Sequence, residues 1–483
     1  MLFPAIFAAR VENWEIARIF LYHFIFAVII TLMLGIAFSN HKLSRMTAHR
    51  LSDLFIGFLA VPLLLALPVQ TMLPQYSYWD MYFEMLSALT TTGATVFTDL
   101  DAIPETVHLW RALIAWFGGF LMLVVALAVF QPARLGGFEV YGANDGGQSQ
   151  MANYIRRSDI RARILRFTRQ IFPLYFGLTV ALMLLLALSG MRPFLALIYA
   201  MGVFSTSGIS ASNGTIPFDT TIFSELLIFC ALLTATSRFV FQQDMEGTGL
   251  RNLRSDKEVN LMLLVVIIVP TLLFLRHFTA AIEVSAEEDL MAALRALWGS
   301  VFMVLSFLTT TGYESMHWQS AQNWSGLGVS ATVLIGLSIM GGGIATTAGG
   351  LKLLRIYALY KHGLREMQRM SFPSSVMGAG KKARAIRREG AYIAWVFFML
   401  FLVTLALLML FYALTGLSFE ESFLLAVSGL STTGPLLTVV GDSGLNYAQI
   451  SPAAKTIFAI SMILGRLEIL AVIAILSPAT WGR

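Results

Sequence analysis

Long apolar runs alternate with short polar and basic stretches along most of the chain. The first run covers 17–38; it is too long for the apolar core of a signal peptide, and no cleavage site follows it. Next come an apolar run at 53–74, a short amphipathic segment at 79–90 and a further apolar run at 108–133. The order long, short, long recurs over 170–240, 260–360 and 391–477. A helix needs about 20 residues to cross the hydrocarbon core of a bilayer. The short segments, at about a dozen residues each, are therefore predicted to be half-helices that enter and stop. Lipid tolerates such ends only where protein or water covers them. The pattern predicts an all-α polytopic membrane protein with nine full spans and four half-spans.

The half-spans end alike. They close on Thr90-Thr91-Thr92-Gly93-Ala94, Ser205-Thr206-Ser207-Gly208-Ile209, Thr309-Thr310-Thr311-Gly312-Tyr313 and Ser431-Thr432-Thr433-Gly434-Pro435. The glycines fall 115, 104 and 122 residues apart, so a unit of roughly a hundred residues recurs four times. Residues 1–50 hold the leading helix and its linker, and the repeats cover 51–140, 141–250, 251–365 and 366–483. Four helix, pore-helix, filter-loop and helix units in one chain can surround one central pore with pseudo-fourfold symmetry. A dehydrated K+ needs several oxygen ligands at once, which a ring of backbone carbonyls supplies. Glycine lets such a loop take positive φ without Cβ strain, and Ser or Thr adds hydroxyls. The candidate K+ filter is therefore Thr91, Thr92, Gly93, Thr206, Ser207, Gly208, Thr310, Thr311, Gly312, Thr432, Thr433 and Gly434. Each half-helix points its negative dipole end at the ion, and Asp80, Glu420 and Glu421 suit the opposite, positive ends. Small residues also let transmembrane helices pack closely; one such motif alone would favour that explanation, and four copies in register favour a filter.

Composition fits. Of 483 residues, 57% are hydrophobic and 13% charged, against about 25% charged in soluble domains. Cys230 is the single cysteine, so neither a disulfide framework nor a Cys-based metal site is available, and its apolar run predicts a buried, inert thiol. Lys and Arg test the topology. The loops 39–52, 134–169, 238–258 and 352–390 carry 24 of the 33, which places them in the cytoplasm and the four glycine motifs outside. Asp99, Asp101, Glu105, Asp219, Glu314 and Asp442 lie on the outer side, where they would concentrate cations or simply be solvated.

The third inner helix carries Gly341, Gly342, Gly343, Gly349 and Gly350 around Ala345, Thr346 and Thr347. Each glycine costs about 1 kcal/mol relative to alanine inside a helix, so this span is predicted to break into a loop. A small-residue packing seam is the competing explanation. A phosphate-binding loop is excluded because Gly-Gly-Leu-Lys lacks the required ending and follows no strand. Arg466 lies inside the last apolar run, where a charge costs about 2.5–3.5 kcal/mol. It is expected to face a cavity and to find carbonyls or hydroxyls of residues 343–348. Pairing with Glu468 is disfavoured because side chains two apart on a helix diverge. Lys352 follows the break and supports either the loop or the packing of its cytoplasmic end.

The runs FEMLSALTTTGATV (83–96), GGGIATTAGGLKLLRI (341–356), LGRLEIL (464–470) and SPATW (477–481) resemble the Trk/Ktr/HKT superfamily of K+ transporters, above all its bacterial TrkH branch. The resemblance extends over nearly all of the chain from about residue 51. It weakens in the second repeat, where Ser207-Gly208-Ile209 replaces the usual Gly-Gly-Phe and Thr234 to Phe239 depart from the pattern. One leading span stands where two are usual. Na+-preferring relatives carry serine for the first filter glycine, so four retained glycines imply K+ over Na+. The resemblance also makes residues 341–350 an intramembrane gate loop below the filter, with Lys352 beyond it and Arg466 as an electrostatic barrier to cations.

Further implications concern partners. The basic loops, including 156–169 and 352–390, would meet anionic lipid headgroups. By resemblance they would also meet a TrkA-type ring of nucleotide-binding regulatory subunits. The chain has no dinucleotide-binding fingerprint of its own, so no cofactor is expected in it; K+ is cargo, and NAD or ATP would act only through that ring. The resemblance also implies a homodimer with one pore per chain, in a cell inner membrane. Nucleic acid is not an expected partner. An Na+-permeable or H+/Na+-coupled symporter stays open as the alternative. A membrane enzyme is disfavoured, because seven scattered histidines form no His-Glu-x-x-His pattern. A purely structural or receptor-like protein would leave the four half-spans unexplained.

Overall fold

The computed structural model describes residues 1–39, 47–133, 137–138, 160–212, 221–236, 257–281, 290–318, 321, 330–372, 388–440 and 446–468. Among these residues there are helices and no strands. A short apolar helix α1 (Leu2–Arg10), outside the runs read from the sequence, precedes the leading helix α2 (Trp14–Ala37). Repeat 1 comprises α3 (Thr47–Met72), the half-helix α4 (Tyr78–Leu89) and the inner helix α5 (Glu105–Val125), which continues through a π-helical turn at Ala126–Phe130. Repeat 2 is α6 (Ile160–Leu188), α7 (Pro193–Ser205) and α8 (Ile222–Ala235). Repeat 3 is α9 (Lys257–Ala281), α10 (Leu290–Leu308), α11 (Ser330–Met340) and α12 (Leu353–Ser371). Repeat 4 is α13 (Arg388–Leu414), α14 (Phe419–Ser431), a short α15 (Leu436–Val440) and α16 (Pro452–Leu467).

Six described helices are long and apolar enough to cross a membrane: the leading helix, the four outer helices and α5. Nine were expected. The difference lies in the inner helices of repeats 2 to 4, which have 14, 11 and 16 residues within the described segments. In repeat 3 the apolar run keeps its hydropathy through the break after Met340, so the pattern does not reveal where helical geometry stops there. The third half-helix also differs, at 19 residues instead of about a dozen.

Local chemistry sets the half-helix starts. Ser77 and Asp80 form a capping box on α4, and Ser418 and Glu421 form another on α14, each satisfying amides that the first helical turn leaves free. Pro193 opens α7, where its missing N–H costs nothing. The four inner helices then interlock the half-helices into a ring: α5 packs on α4 and α7, α8 on α7 and α10, α11 on α10 and α14, and α16 on α14 and α4. The last contact closes the circle. Glycines permit the approach, since a Cβ on Gly118 would lie 2.2 Å from the Leu89 carbonyl oxygen and one on Gly465 2.4 Å from that of Leu430. Large apolar side chains on the leading and outer helices, such as Leu32, Ile56, Leu188, Ile267 and Leu410, face outward, as hydrocarbon surroundings require.

Cys230 is exposed on α8, contrary to the buried thiol expected. The buried stripe of α8 runs through Ser224, Glu225, Ile228, Ala231, Leu232 and Ala235, and position 230 falls off that face.

Candidate functional site

The four half-helices end in the same geometry. Thr91, Thr206, Thr310 and Thr432 all have positive φ, at 54°, 49°, 57° and 54°. In each, that threonine's N–H and the next residue's N–H fold back onto the last helical turn, for example Thr91 to Ala88 and Thr92 to Ser87, or Thr432 to Gly429 and Thr433 to Ser428. This is a Schellman ending, normally built on glycine. A threonine there costs roughly 1–2 kcal/mol, and strain of this kind gathers at functional sites. A second fourfold pattern follows. Thr90 pairs with Thr92, Ser205 with Ser207, Thr309 with Thr311 and Ser431 with Thr433, through hydroxyl contacts of 2.8–3.1 Å. The hydroxyls of Thr92, Ser207, Thr311 and Thr433 are thus tied back to their own half-helices and are not free to line a path. Of the four left-handed threonines, Thr91 and Thr432 have buried hydroxyls without a partner among the described residues.

Gly93, Gly208 and Gly312 take φ of 76°, 63° and 79°. Gly434 does not, so the positive φ expected there is absent. A Cβ on Gly93 would sit 2.0 Å from the Ser207 carbonyl oxygen, and one on Gly208 2.0 Å from that of Thr311. Each of these glycines therefore lies against the next loop's carbonyl.

The broken helix lies under these loops. α11 stops at Met340 and α12 begins at Leu353; Gly341, Ala345, Gly350 and Lys352 between them have positive φ. Thr206 Oγ1 donates to Thr347 Oγ1 at 3.0 Å, and the Gly349 N–H donates to Thr310 Oγ1 at 2.7 Å. A Cβ on Gly349 would meet the Ser431 carbonyl oxygen at 2.1 Å. The segment thus touches the ends of three half-helices. Thr346 Oγ1 caps the Gly343 carbonyl at 2.7 Å, and Gly342 and Gly343 are buried among it, Ala348 and Thr236. Lys352 is buried and its ammonium donates to the Ala348 carbonyl, which makes it a brace of the loop.

Arg466 donates to the Thr347 carbonyl oxygen at 2.5 Å, within the 343–348 stretch. It lines a cavity of about 30 Å³ together with Met122, Phe130, Ala345, Lys352 and Glu468, enough room for water. Its Nε and one terminal nitrogen have no hydrogen-bond partner among the described residues. Glu468 turns elsewhere, to Arg355 at 2.8 Å, and the Arg355 guanidinium lies 3.7 Å from the centre of the Phe397 ring.

Several structural residues escaped the sequence reading. Glu84 on α4 and Arg111 on α5 form a buried pair at 2.6 Å. Glu84 Oε2 also accepts the Val96 N–H at 3.0 Å, and Arg111 reaches the Ser210 carbonyl at 3.4 Å. The pair braces the chain leaving the first loop and that leaving the second. Glu258 accepts the Ile344 N–H at 2.8 Å and so holds the broken segment from α9. The available signal was an opposite charge in each of two apolar runs. Of the outer acids, Asp99, Asp101 and Glu105 are exposed, while Asp219 and Asp442 lie outside the described residues. Glu314 is half-buried, and burial lifts its carboxyl above the ordinary value. Phe239 and the 477–481 run also lie outside the described residues.

Residues 17–481 match the TrkH family, described as a cation transport protein. The chain belongs to the TrkH family. It is 28% identical over 412 residues to the Trk system potassium uptake protein TrkH of Salmonella typhimurium, covering 84% of this chain and 80% of that protein. It is 26% identical over 412 residues to TrkG of Escherichia coli K12, covering 84% and 79%. Its fold matches the crystal structure of the potassium transporter TrkH from Vibrio parahaemolyticus with a TM-score of 0.82 at 22% identity, covering 99% of this chain and 96% of that one. TrkH members are transporters, not enzymes.

Proposed function

We propose that the chain takes up K+ across a cell inner membrane through a channel-like pore whose filter is formed by the four motif loops and whose gate is residues 341–350 with Arg466. The observation that carries this is the joint geometry of the two parts. Four left-handed threonines end four half-helices in a ring, and Thr347 and Gly349 of the broken segment bond directly to two of them. Arg466 holds the Thr347 carbonyl and places a buried guanidinium, two of whose nitrogens lack a hydrogen-bond partner among the described residues, next to the broken segment. A cation leaving the ring downward would meet both the broken segment, a steric block, and a like charge. K+ is the cargo that the relatives' names specify, and retained glycines suit a carbonyl-coordinated ion of its size. The same relatives are parts of a Trk system, which supports a cytoplasmic nucleotide-binding subunit ring acting on the basic inner loops, with the glycine motifs outward. Assembly as a homodimer, with anionic lipid against the basic loops, belongs to the same proposal.

The test is cation flux into proteoliposomes holding the full chain, with K+, Rb+, Na+ and Li+ compared under one imposed potential. K+ and Rb+ ahead of Na+ and Li+, without a pH gradient, is the expected order. Arg466→Ala should raise the leak about tenfold, equivalent to a barrier lowered by about 1.4 kcal/mol. Unchanged flux in folded protein would remove the gate. A coupled symporter is the second reading, favoured by Glu314, a titratable group two residues beyond Gly312; flux that demands a proton gradient and is lost in Glu314→Gln would establish it.

A further inference from the structure

The fourth loop breaks the symmetry that the other three keep. In loops 1 to 3 a hydroxyl holds the carbonyl of the residue after the glycine: Ser87 to Ala94 at 2.7 Å, Ser306 to Tyr313 at 2.7 Å, and the Tyr313 hydroxyl to Ile209 at 3.0 Å, in space left open by Gly202. Ser428 occupies the equivalent place in repeat 4, yet it bonds the Thr433 carbonyl at 2.9 Å, two residues earlier. That oxygen is the counterpart of those of Ser207 and Thr311, which lie against the neighbouring loops' glycines. Gly434 lacks the positive φ of its three equivalents, and its N–H donates at 2.6 Å to the Thr92 carbonyl. Pro435 meanwhile lies 2.9 Å from where a Cβ on either Gly208 or Gly312 would stand. Loop 2 is diagonal to loop 4 in the ring, so contact with both loops carries the proline across the centre. The Tyr447 hydroxyl anchors this arrangement, donating to the Gly434 carbonyl at 2.8 Å and touching Ser428 Oγ at 2.8 Å. Two hydroxyl protons serve three contacts there, so the network is not fully bonded.

We infer that loop 4 stands in a closed register that removes two carbonyls, those of Thr92 and Thr433, from the ion-coordinating ring, and that Tyr447 is the positioning residue that holds it closed. The conducting register is the one its sister loops show. The 433–434 peptide turns so that the Thr433 oxygen faces the axis, Ser428 takes the Pro435 carbonyl, and the proline ring withdraws. This inference rests on the filter assignment proposed above and adds to the lower gate a second closure at the filter itself. Because K+ would bind only the conducting register, its apparent affinity is reduced by the fraction of chains in that register.

The experiment measures binding, so the lower gate does not enter. The full chain is purified in detergent, and its thermal unfolding is followed against KCl, with choline chloride holding ionic strength and NaCl run in parallel. Tyr447→Phe keeps the ring that packs on Phe83 and Phe458 and removes only the hydroxyl. It should lower the K+ concentration for half-maximal stabilisation about tenfold, as release of a state populated nine parts in ten requires, with no matching gain for Na+. Pro435→Ala, which frees the same loop from the other side, should shift the midpoint in the same direction and stands in if the first variant does not fold. K+ stabilisation with a midpoint unchanged in both variants would overturn the closed-register inference and leave the pore reading intact. No K+ stabilisation in any form of the chain would overturn the filter assignment and this inference together.

Discussion

Gly93 shows at a single residue why the motif needs glycine. It has φ of +76°, and a Cβ would stand 2.0 Å from the Ser207 carbonyl oxygen. A serine there must accept about 1–2 kcal/mol of backbone strain and push that oxygen aside. Gly93→Ser should therefore raise Na+ permeation relative to K+ several-fold, measured as competing fluxes in proteoliposomes; an unaltered ratio would move the filter elsewhere. The neighbouring threonines divide their labour in a way that residue type did not disclose. Thr91, Thr206, Thr310 and Thr432 take the left-handed position, and the hydroxyls of Thr206 and Thr310 bond the broken segment while that of Thr432 lies against Gly349. Thr92, Ser207, Thr311 and Thr433 tie theirs back to the half-helix.

Among elements, the broken third inner helix was legible because its glycines and threonines oppose helix formation, and it breaks between Met340 and Leu353. What holds the break in place was not legible, because the anchors come from distant helices. Glu258 on α9 accepts the Ile344 N–H. Glu258→Ala leaves that buried N–H unsatisfied, at about 1–3 kcal/mol, and should loosen the segment, so leak flux rises several-fold while the cation order is kept. Glu258→Gln retains an acceptor and should restore most of the block. If both variants leak equally, or neither does, the hydrogen bond is not what positions the segment.

At the scale of the whole molecule, the ring of half-helices is closed by inner helices that each clasp two neighbours. The Arg111–Glu84 pair reinforces that clasp between repeats 1 and 2, with both side chains almost wholly buried. Removing one member leaves an uncompensated charge, so Arg111→Met should destabilise the chain by about 3–5 kcal/mol. The double replacement with Glu84→Gln should recover a large part of the loss. Thermal unfolding in detergent reads both, and a single-variant loss below about 1 kcal/mol would show that the pair is not structural.

The class of protein, the four repeats, the motif at each half-helix end and the break in the third inner helix could be read from the residues in order. All of these follow from hydropathy, spacing and backbone propensity, which are local quantities. Only the packed chain shows which hydroxyls are tied back to their half-helices, that Arg466 meets Thr347 while Glu468 meets Arg355, and that loop 4 lies out of register with its sisters. Those outcomes depend on contacts between residues tens to hundreds of positions apart. No periodicity records such contacts, because the partners are chosen by how the helices close around a common axis.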